Sequence, residues 1–164
     1  MVGSDLKFYL SGGVTNTDPK LSLGGVISTT QVGASLHDLF DVVTPEQATN
    51  GHVDYRSIFA KNTHVSETGA AAVLYVSAET TSVSTTIEVA YDSGGTQTIA
   101  NETTAPSSPA LTFTKPMSKS AGIVLGDVAP SATKMIWLKR TVTAGALKIN
   151  LDAGQVIIVV GNST

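Results

Sequence analysis

Residues 84–91 read Ser-Thr-Thr-Ile-Glu-Val-Ala-Tyr, and their pattern indicates the fold class. Ile87, Val89 and Tyr91 alternate with polar or small residues, which is the two-residue period of a β-strand with one buried face. β-branched and aromatic residues are also the types that strands favour. Further along the chain, residues 134–142 form the longest candidate strand, so we predict stacked β-sheets.

Other predicted strands lie on both sides of this stretch. Residues 55–61 and 72–77 interleave β-branched or aromatic residues with polar ones. Residues 156–160, Val-Ile-Ile-Val-Val, do not alternate, which is typical of a strand covered on both faces. About eight to ten short strands with turns between them predict one all-β domain over residues 1–164, a β-sandwich or jelly roll. Shorter candidates lie at 6–10, 97–100, 111–113 and 123–125.

The sequence also predicts one short helix and two long irregular loops. Leu36, Leu39 and Phe40 have the i, i+3, i+4 spacing of a helical face, which predicts a helix or 3₁₀ turn over residues 35–43. Pro45 would stop this helix. The two loops, at residues 11–25 and 101–120, are rich in Gly, Pro, Ser and Thr.

Composition and charge exclude several classes of function. The 164 residues include no cysteine, so neither disulfides nor thiolate metal sites are expected. The net charge is −3 and the basic residues are scattered, which argues against nucleic-acid binding. The longest apolar run, residues 156–160, is far shorter than the ~20 residues of a membrane-spanning helix, and no signal peptide is predicted. Only 14% of residues are charged, as in β-proteins with extensive contact surfaces.

The three histidines are candidate metal ligands. His37 lies beside Asp38 and near Asp41, a combination that can bind a divalent cation. No two histidines have i, i+4 spacing, and nothing in the spacing brings the ligands to one site. We therefore predict no metal and interpret His37, Asp38 and Asp41 as the polar face of a short helix. The histidines are His37, His52 and His64.

Motifs of catalysis and cofactor binding are also missing. The sequence contains no Gly-x-Ser-x-Gly nucleophile elbow, and its acidic residues fall mostly in predicted loops or at strand ends. The Gly-Gly pairs at residues 12–13 and 24–25 lack the Lys-Ser/Thr of a phosphate-binding loop and predict tight turns instead. We expect no enzyme activity and no cofactor.

Residues 135–140 place apolar side chains on both faces of their predicted strand. One face carries Trp137 and Lys139, and the other ends in Arg140. Trp137 is expected to pack in the core. If a second sheet covers one face and a partner chain the other, then Trp137, Lys139 and Arg140 become candidate partner contacts.

Several stretches of the chain resemble small virion proteins encoded among the head and tail genes of tailed bacteriophages. The resemblance implies a component of the phage particle, with capsid decoration (cement) proteins as the main candidate. It further implies binding to the major capsid protein or other virion proteins, and a homo-oligomer, most often a trimer. The stretches are Phe8-Tyr9-Leu10-Ser11-Gly12-Gly13, Asn16-Thr17-Asp18-Pro19, Ser22-Leu23-Gly24-Gly25-Val26, Asp54-Tyr55-Arg56, Lys61-Asn62-Thr63-His64 and Trp137-Leu138-Lys139-Arg140-Thr141-Val142.

Residues 11–25 are a candidate arm that reaches a neighbouring subunit, with Leu21, Leu23 and Val26 as apolar anchors. An ordinary surface loop is the alternative. An arm that orders only in the assembly loses conformational entropy, so it needs substantial buried area. Many symmetric copies would then supply strong total attachment.

Three functions remain open at this point. The first is a structural protein of the phage particle, with a capsid decoration protein located in the virion as its main form. The second is a tail, baseplate or fibre-associated module that binds host glycans. The third is a cell-wall hydrolase, which would gather His and carboxylate groups in one concave pocket.

Overall fold

The computed structural model describes residues 5–34, 38–148 and 152–161, and strands dominate it. One α-helix and two 3₁₀ turns are the helical elements within these ranges. The prediction of an all-β fold is confirmed. The strands are β1 (Leu6–Leu10), β2 (His52–Asn62), β3 (Gly69–Ala78), β4 (Thr85–Asp92), β5 (Ile123–Val128), β6 (Thr133–Val142) and β7 (Gln155–Val159); the helix is α1 (Pro45–Asn50), and the 3₁₀ turns are Pro19–Leu21 and Lys119–Ala121.

The strands form two antiparallel sheets. The four-stranded sheet has the order β1-β2-β6-β4, and the three-stranded sheet has the order β5-β3-β7. Successive side chains in a strand point to opposite faces, so each sheet has one face toward the other sheet and one face away from it. We call the second kind the outer face.

The main core lies between the two sheets. Val89 of β4, Ile136 of β6 and Leu74 of β3 are completely buried there. The alternation of residues 84–91 therefore has the predicted cause, because Ile87 and Val89 belong to this core and Glu88 points to the outer face. Val156, Ile158 and Val160 pack against the same core from the three-stranded sheet.

Two predicted strands are absent. Residues 97–100 and 111–113 are loop, with only isolated bridges between Gly24 and Thr98 and between Val89 and Thr114. Their apolar residues lie over the outer face of the four-stranded sheet. Burial against a sheet, rather than membership of one, explains the short apolar runs that suggested strands.

The predicted helix is wrong where it can be compared with the structure. Residues 35–37 lie outside the described residues, and residues 38–43 are not helical. Pro45 begins a helix instead of ending one. It is the first residue of α1, whose cap is Thr44: the Thr44 hydroxyl accepts the Gln47 N–H at 3.2 Å, and the Gln47 side chain accepts the Thr44 N–H at 2.9 Å.

Candidate partner-binding surface

Two stretches of loop, which we call the lid (residues 11–32 and 93–117), cover the outer face of the four-stranded sheet. Trp137 has no exposed surface, and its neighbour Met135 is 1% exposed. Phe113 of the lid meets the Tyr55 ring edge-on, with the centroids 5.4 Å apart. The expectation that a partner chain covers one face of β6 is therefore wrong, because the chain covers both faces itself. The second core contains Phe59, Ala90, Met135 and Trp137, with Ile27, Tyr55, Ile99, Leu111 and Phe113 packed against them.

The first part of the lid is bound tightly to β2. Ser57 donates its N–H to the carbonyl oxygen of Ser22 at 2.8 Å, and the Ser11 hydroxyl donates to the carbonyl oxygen of Ser57 at 2.8 Å. The Ser11 oxygen also accepts the N–H of Gly24 at 3.0 Å. Residues 11–25 are thus a folded loop in the isolated chain and not an extended arm.

The lid also closes both edges of the four-stranded sheet. Beside β1, Leu10 donates its N–H to Thr30 at 2.9 Å, and Phe8 accepts from Val32 at 2.9 Å. Beside β4, Val89 and Thr114 exchange two backbone bonds of 2.7 and 3.0 Å. Backbone groups that are already paired offer no template for another chain, so these bonds hinder extension of the sheet at Phe8, Leu10 and Val89.

The far end of the lid is attached to β3. Pro116 accepts the N–H of Val76 at 2.8 Å, and Lys115 forms an ion pair with Glu79. Partial burial opposes ionisation of Glu79, but the bond from Lys115 and the N–H of Thr80 outweigh it and hold the pKa of this carboxyl below its usual value. The lid therefore links the two sheets.

A shallow apolar groove of about 340 Å³ runs along the lid surface. Leu21 and Val26 are each 58% exposed beside it, and Leu23 is half-buried. These are the three apolar residues that the sequence suggested as partner contacts, and the structure brings them to one place. Whether they bind a partner stays a prediction. The groove is lined by Gly12, Gly13, Leu21, Leu23, Gly24, Gly25, Val26, Thr98 and Ile99.

Glycines allow the two halves of the groove to approach. Gly12 and Gly24 have φ of 92° and 100°, a region that side chains rarely adopt. A Cβ at Gly12 would collide with the carbonyl oxygen of Leu21, and one at Gly24 would collide with that of Gln97. The Gly-Gly pairs are therefore tight turns with close backbone packing, as the sequence predicted.

Arg140 is buried and belongs to an ionic cluster inside the sandwich. Its guanidinium binds Asp54 through two bonds of 3.0 and 2.6 Å, donates to the Asp41 carbonyl at 2.6 Å and lies 4.9 Å from the Phe40 ring centroid. Being 7% exposed, Arg140 is not a surface contact. The two-bond geometry fixes β2 against β6 at one end of the core.

Arg56 completes this cluster with no exposed surface. Its guanidinium forms an ion pair with Glu102 and lies 5.7 Å from the Phe40 ring centroid. Lys20 forms an ion pair with Asp41 at 3.5 Å, which connects the first part of the lid to this cluster. Residues from three loops thus meet at two buried arginines. Sequence reasoning missed this cluster, although Asp54 and Arg56 share the strand face of buried Ile58.

Lys139 lies on the outer face and is partly exposed. Its Nζ is 2.6 Å from the Glu88 carboxylate on the neighbouring strand β4. Of the six residues predicted to contact a partner, Trp137 and Arg140 are buried in the chain and Lys139 is paired across the sheet. Leu21 and Val26 are the most exposed of the six.

The histidines do not gather into a cation site. His52 Nε2 lies 3.8 Å from Asp54, His64 Nε2 lies 3.9 Å from Glu67, and His37 lies outside the described residues. Within the described part of the chain, no group of three or more His, Asp or Glu residues is arranged to hold a metal. No helix in that part is long and apolar enough to cross a membrane.

The outer face of the three-stranded sheet carries a second apolar surface. Val73 of β3 lies between Val124 of β5 and Val159 of β7, and Tyr75 lies beside Ile157. Val124 is 70% exposed and the others are half-buried. Neither of the two buried clusters found among the described residues lies on this face.

Comparison with known proteins identifies no relative: no family model matches the sequence, and no match is found among curated proteins or solved structures.

Proposed function

We propose that this chain is a structural protein of a phage particle that attaches to other virion proteins through the groove of its lid. The observation that carries the proposal is the groove itself: exposed Leu21 and Val26 stand on a backbone fixed by hydrogen bonds to β2. A prefolded surface loses little conformational entropy when it binds, so a modest apolar area contributes more to affinity.

Capsid decoration is the more specific form of this proposal, and the resemblance to phage head and tail proteins supports it. A decoration protein repeats its contact many times over the shell, so each contact can be weak while the total attachment is strong. A shallow apolar groove suits such a contact with the major capsid protein. The resemblance implies three copies in each decorating unit.

A tail, baseplate or fibre module that binds glycans is the second candidate, and one feature favours it. A polar depression of about 340 Å³ adjoins the groove. Its hydroxyl and amide groups match the hydrogen-bonding groups of a sugar, although none of the described lining residues is aromatic. The lining residues are Thr96, Gln97, Thr98, Ile99, Ala100, Thr104, Ala105, Ser107 and Ser108.

Binding to undecorated phage shells tests the proposal. The double variant Leu21→Asp, Val26→Asp places two charges in the groove, and we expect it to lower shell occupancy at least about tenfold, since burying an unpaired charge is costly. The matched control is Val65→Asp, Val83→Asp, which changes valines that are 90% and 97% exposed elsewhere. Thermal unfolding should be unchanged in both variants.

Three outcomes oppose the proposal. Wild-type protein that does not bind shells contradicts capsid decoration. Equal loss in the control variant contradicts the groove. A strong signal on a glycan array, lost on Thr98→Arg and Ser107→Arg in the polar depression, favours the second candidate instead.

A further inference from the structure

The three-stranded sheet ends in β7, whose outer edge has no backbone partner among residues 5–34, 38–148 and 152–161. Val76 donates its N–H to Pro116, away from β7. Its register partner Val156 therefore also points its N–H and C=O away from β3. By alternation, Ile158 and Val160 do the same, so three residues present an open ladder of donors and acceptors.

The other edge of the same sheet is protected, and the contrast is informative. In β5, Gly126 has φ of 73°, the register with β3 shifts beside it, and exposed Asp127 follows. A bulge and a charge are devices that prevent edge-to-edge pairing. Residues 153–161 contain no charged residue and no proline, so β7 has neither device.

We propose that a second copy of this chain pairs with β7 in antiparallel fashion about a two-fold axis at Ile158. This register brings the outward backbone groups of Val156 and Val160 opposite each other and uses the whole open ladder. Ile157 of one copy then lies opposite Val159 of the other on the outer face. The two three-stranded sheets become one continuous six-stranded sheet.

Self-complementarity and charge favour a second copy as the occupant. Two identical strands related by a two-fold axis are antiparallel by symmetry, so one edge supplies both halves of the interface. The chain carries a net charge of −3, so two copies repel each other over most of their surfaces. At the neutral stretch of residues 153–161, two copies can meet without repulsion between like charges. Residues 156–160 are apolar at every position, so both faces of β7 are apolar. Pairing of two β7 strands would therefore continue an apolar surface from one copy to the other on both faces of the sheet.

The contact is small, which sets its expected strength. One strand pair buries less than the ~800 Å² per partner of a stable interface, so we expect a weak, concentration-dependent dimer with a Kd on the order of micromolar or above. A two-fold axis gives two copies, whereas the resemblance to decoration proteins implies three. This inference does not rest on the proposed function. The measured mass distinguishes the dimer inferred here from the trimer that the resemblance implies.

Sedimentation equilibrium up to about 1 mM protein tests the pairing. Wild type should approach the mass of a dimer. Ile157→Lys should weaken association at least about tenfold, because it places a charge in a neutral apolar contact. The matched control is Val124→Lys, on the same outer face at the protected edge, which should leave association unchanged. Mixing Ile157→Lys protein with Val159→Glu protein should restore association, since the introduced lysine and glutamate lie opposite each other.

Several results would overturn the inference. They are a monomer at every concentration, a mass of three copies, equal weakening by Val124→Lys, and a mixture of the two charge variants that stays monomeric. Circular dichroism of each variant checks that the fold is kept. Shell binding of the Ile157→Lys protein separates the proposals, because groove attachment survives if only the β7 pairing fails.

Discussion

The two sheets of this protein treat their outer surfaces differently. The four-stranded sheet has both edges bonded to the lid, and Trp137 on its outer face is fully buried. The three-stranded sheet has an open β7 edge among the described residues, and Val124 on its outer face is 70% exposed. Both outer faces are apolar, so composition alone does not distinguish them. What differs is whether the chain covers the surface itself.

This difference underlies the contacts that we propose. An apolar face covered by its own chain contributes to folding, because its burial stabilises the monomer. An apolar face left uncovered can contribute to assembly instead. We therefore propose contacts through the lid on the four-stranded sheet and through the strands of the three-stranded sheet.

Truncation of the buried tryptophan beneath the lid should have the largest effect on stability. Trp137→Ala removes a fully buried side chain beneath the lid and should lower the free energy of unfolding by about 3–5 kcal/mol. Val124→Ala on the other outer face should change it by less than about 0.5 kcal/mol. Urea unfolding measures both. Similar losses in the two variants would contradict the claim that only one outer face is sealed.

A second prediction concerns the ionic cluster where the loops converge. Asp54→Ala leaves Arg140 buried without its two-bond partner and should cost about 3 kcal/mol. Glu88→Gln, which weakens the partly exposed pair with Lys139, should cost at most about 1 kcal/mol. Chemical denaturation compares them. Equal costs would mean that the cluster does not hold this end of the sandwich.

Alanine substitutions at two glycines of the lid should lower stability by smaller amounts, which depend on how closely neighbouring backbone approaches each glycine. Gly24→Ala combines a strained φ with a collision at the Gln97 carbonyl and should cost about 2 kcal/mol or more. Gly13 also has a positive φ but has nothing within 4 Å of an added Cβ, so Gly13→Ala should cost only about 1 kcal/mol. The melting temperatures of the two variants show which substitution costs more. The reverse order would remove the packing explanation for the groove.

The smallest effect is the pH dependence of the link between lid and β3. Because the folded pKa of Glu79 is lowered, its contribution is present above the unfolded value and is lost as pH falls through the folded pKa. The partly exposed pair with Lys115 should contribute less than about 1 kcal/mol. Glu79→Gln should therefore flatten the acid side of the stability profile slightly. An unchanged profile would contradict the assigned role of this pair.

Local pattern predicted the strands well and the loops poorly. Residues 84–91 alternate because the sheet core lies on one side of them, and that cause is visible in the sequence. Residues 97–100 and 111–113 gave the same signal, since contact with a sheet from above selects the same apolar side chains. Period alone does not separate the two situations.

Long-range contacts explain what the sequence did not reveal. Arg140 meets Asp54 and Phe40 only after β2 and β6 are paired, so no local spacing marks the cluster. The start of α1 was different, because Thr44-Pro45-Glu46-Gln47 is a capping-box sequence with proline at the first helical position. This local sequence marks the start of α1 at Pro45.

Amide hydrogen exchange, followed in dilute and concentrated protein, tests the central contrast most directly. We expect the amides of Val89 on β4 and Leu10 on β1, both bonded to the lid, to be protected at every concentration. The outward amides of Val156, Ile158 and Val160 should exchange quickly in dilute protein and gain protection as concentration rises. Strong protection of the β7 amides in dilute monomer, or fast exchange at Val89, would contradict it.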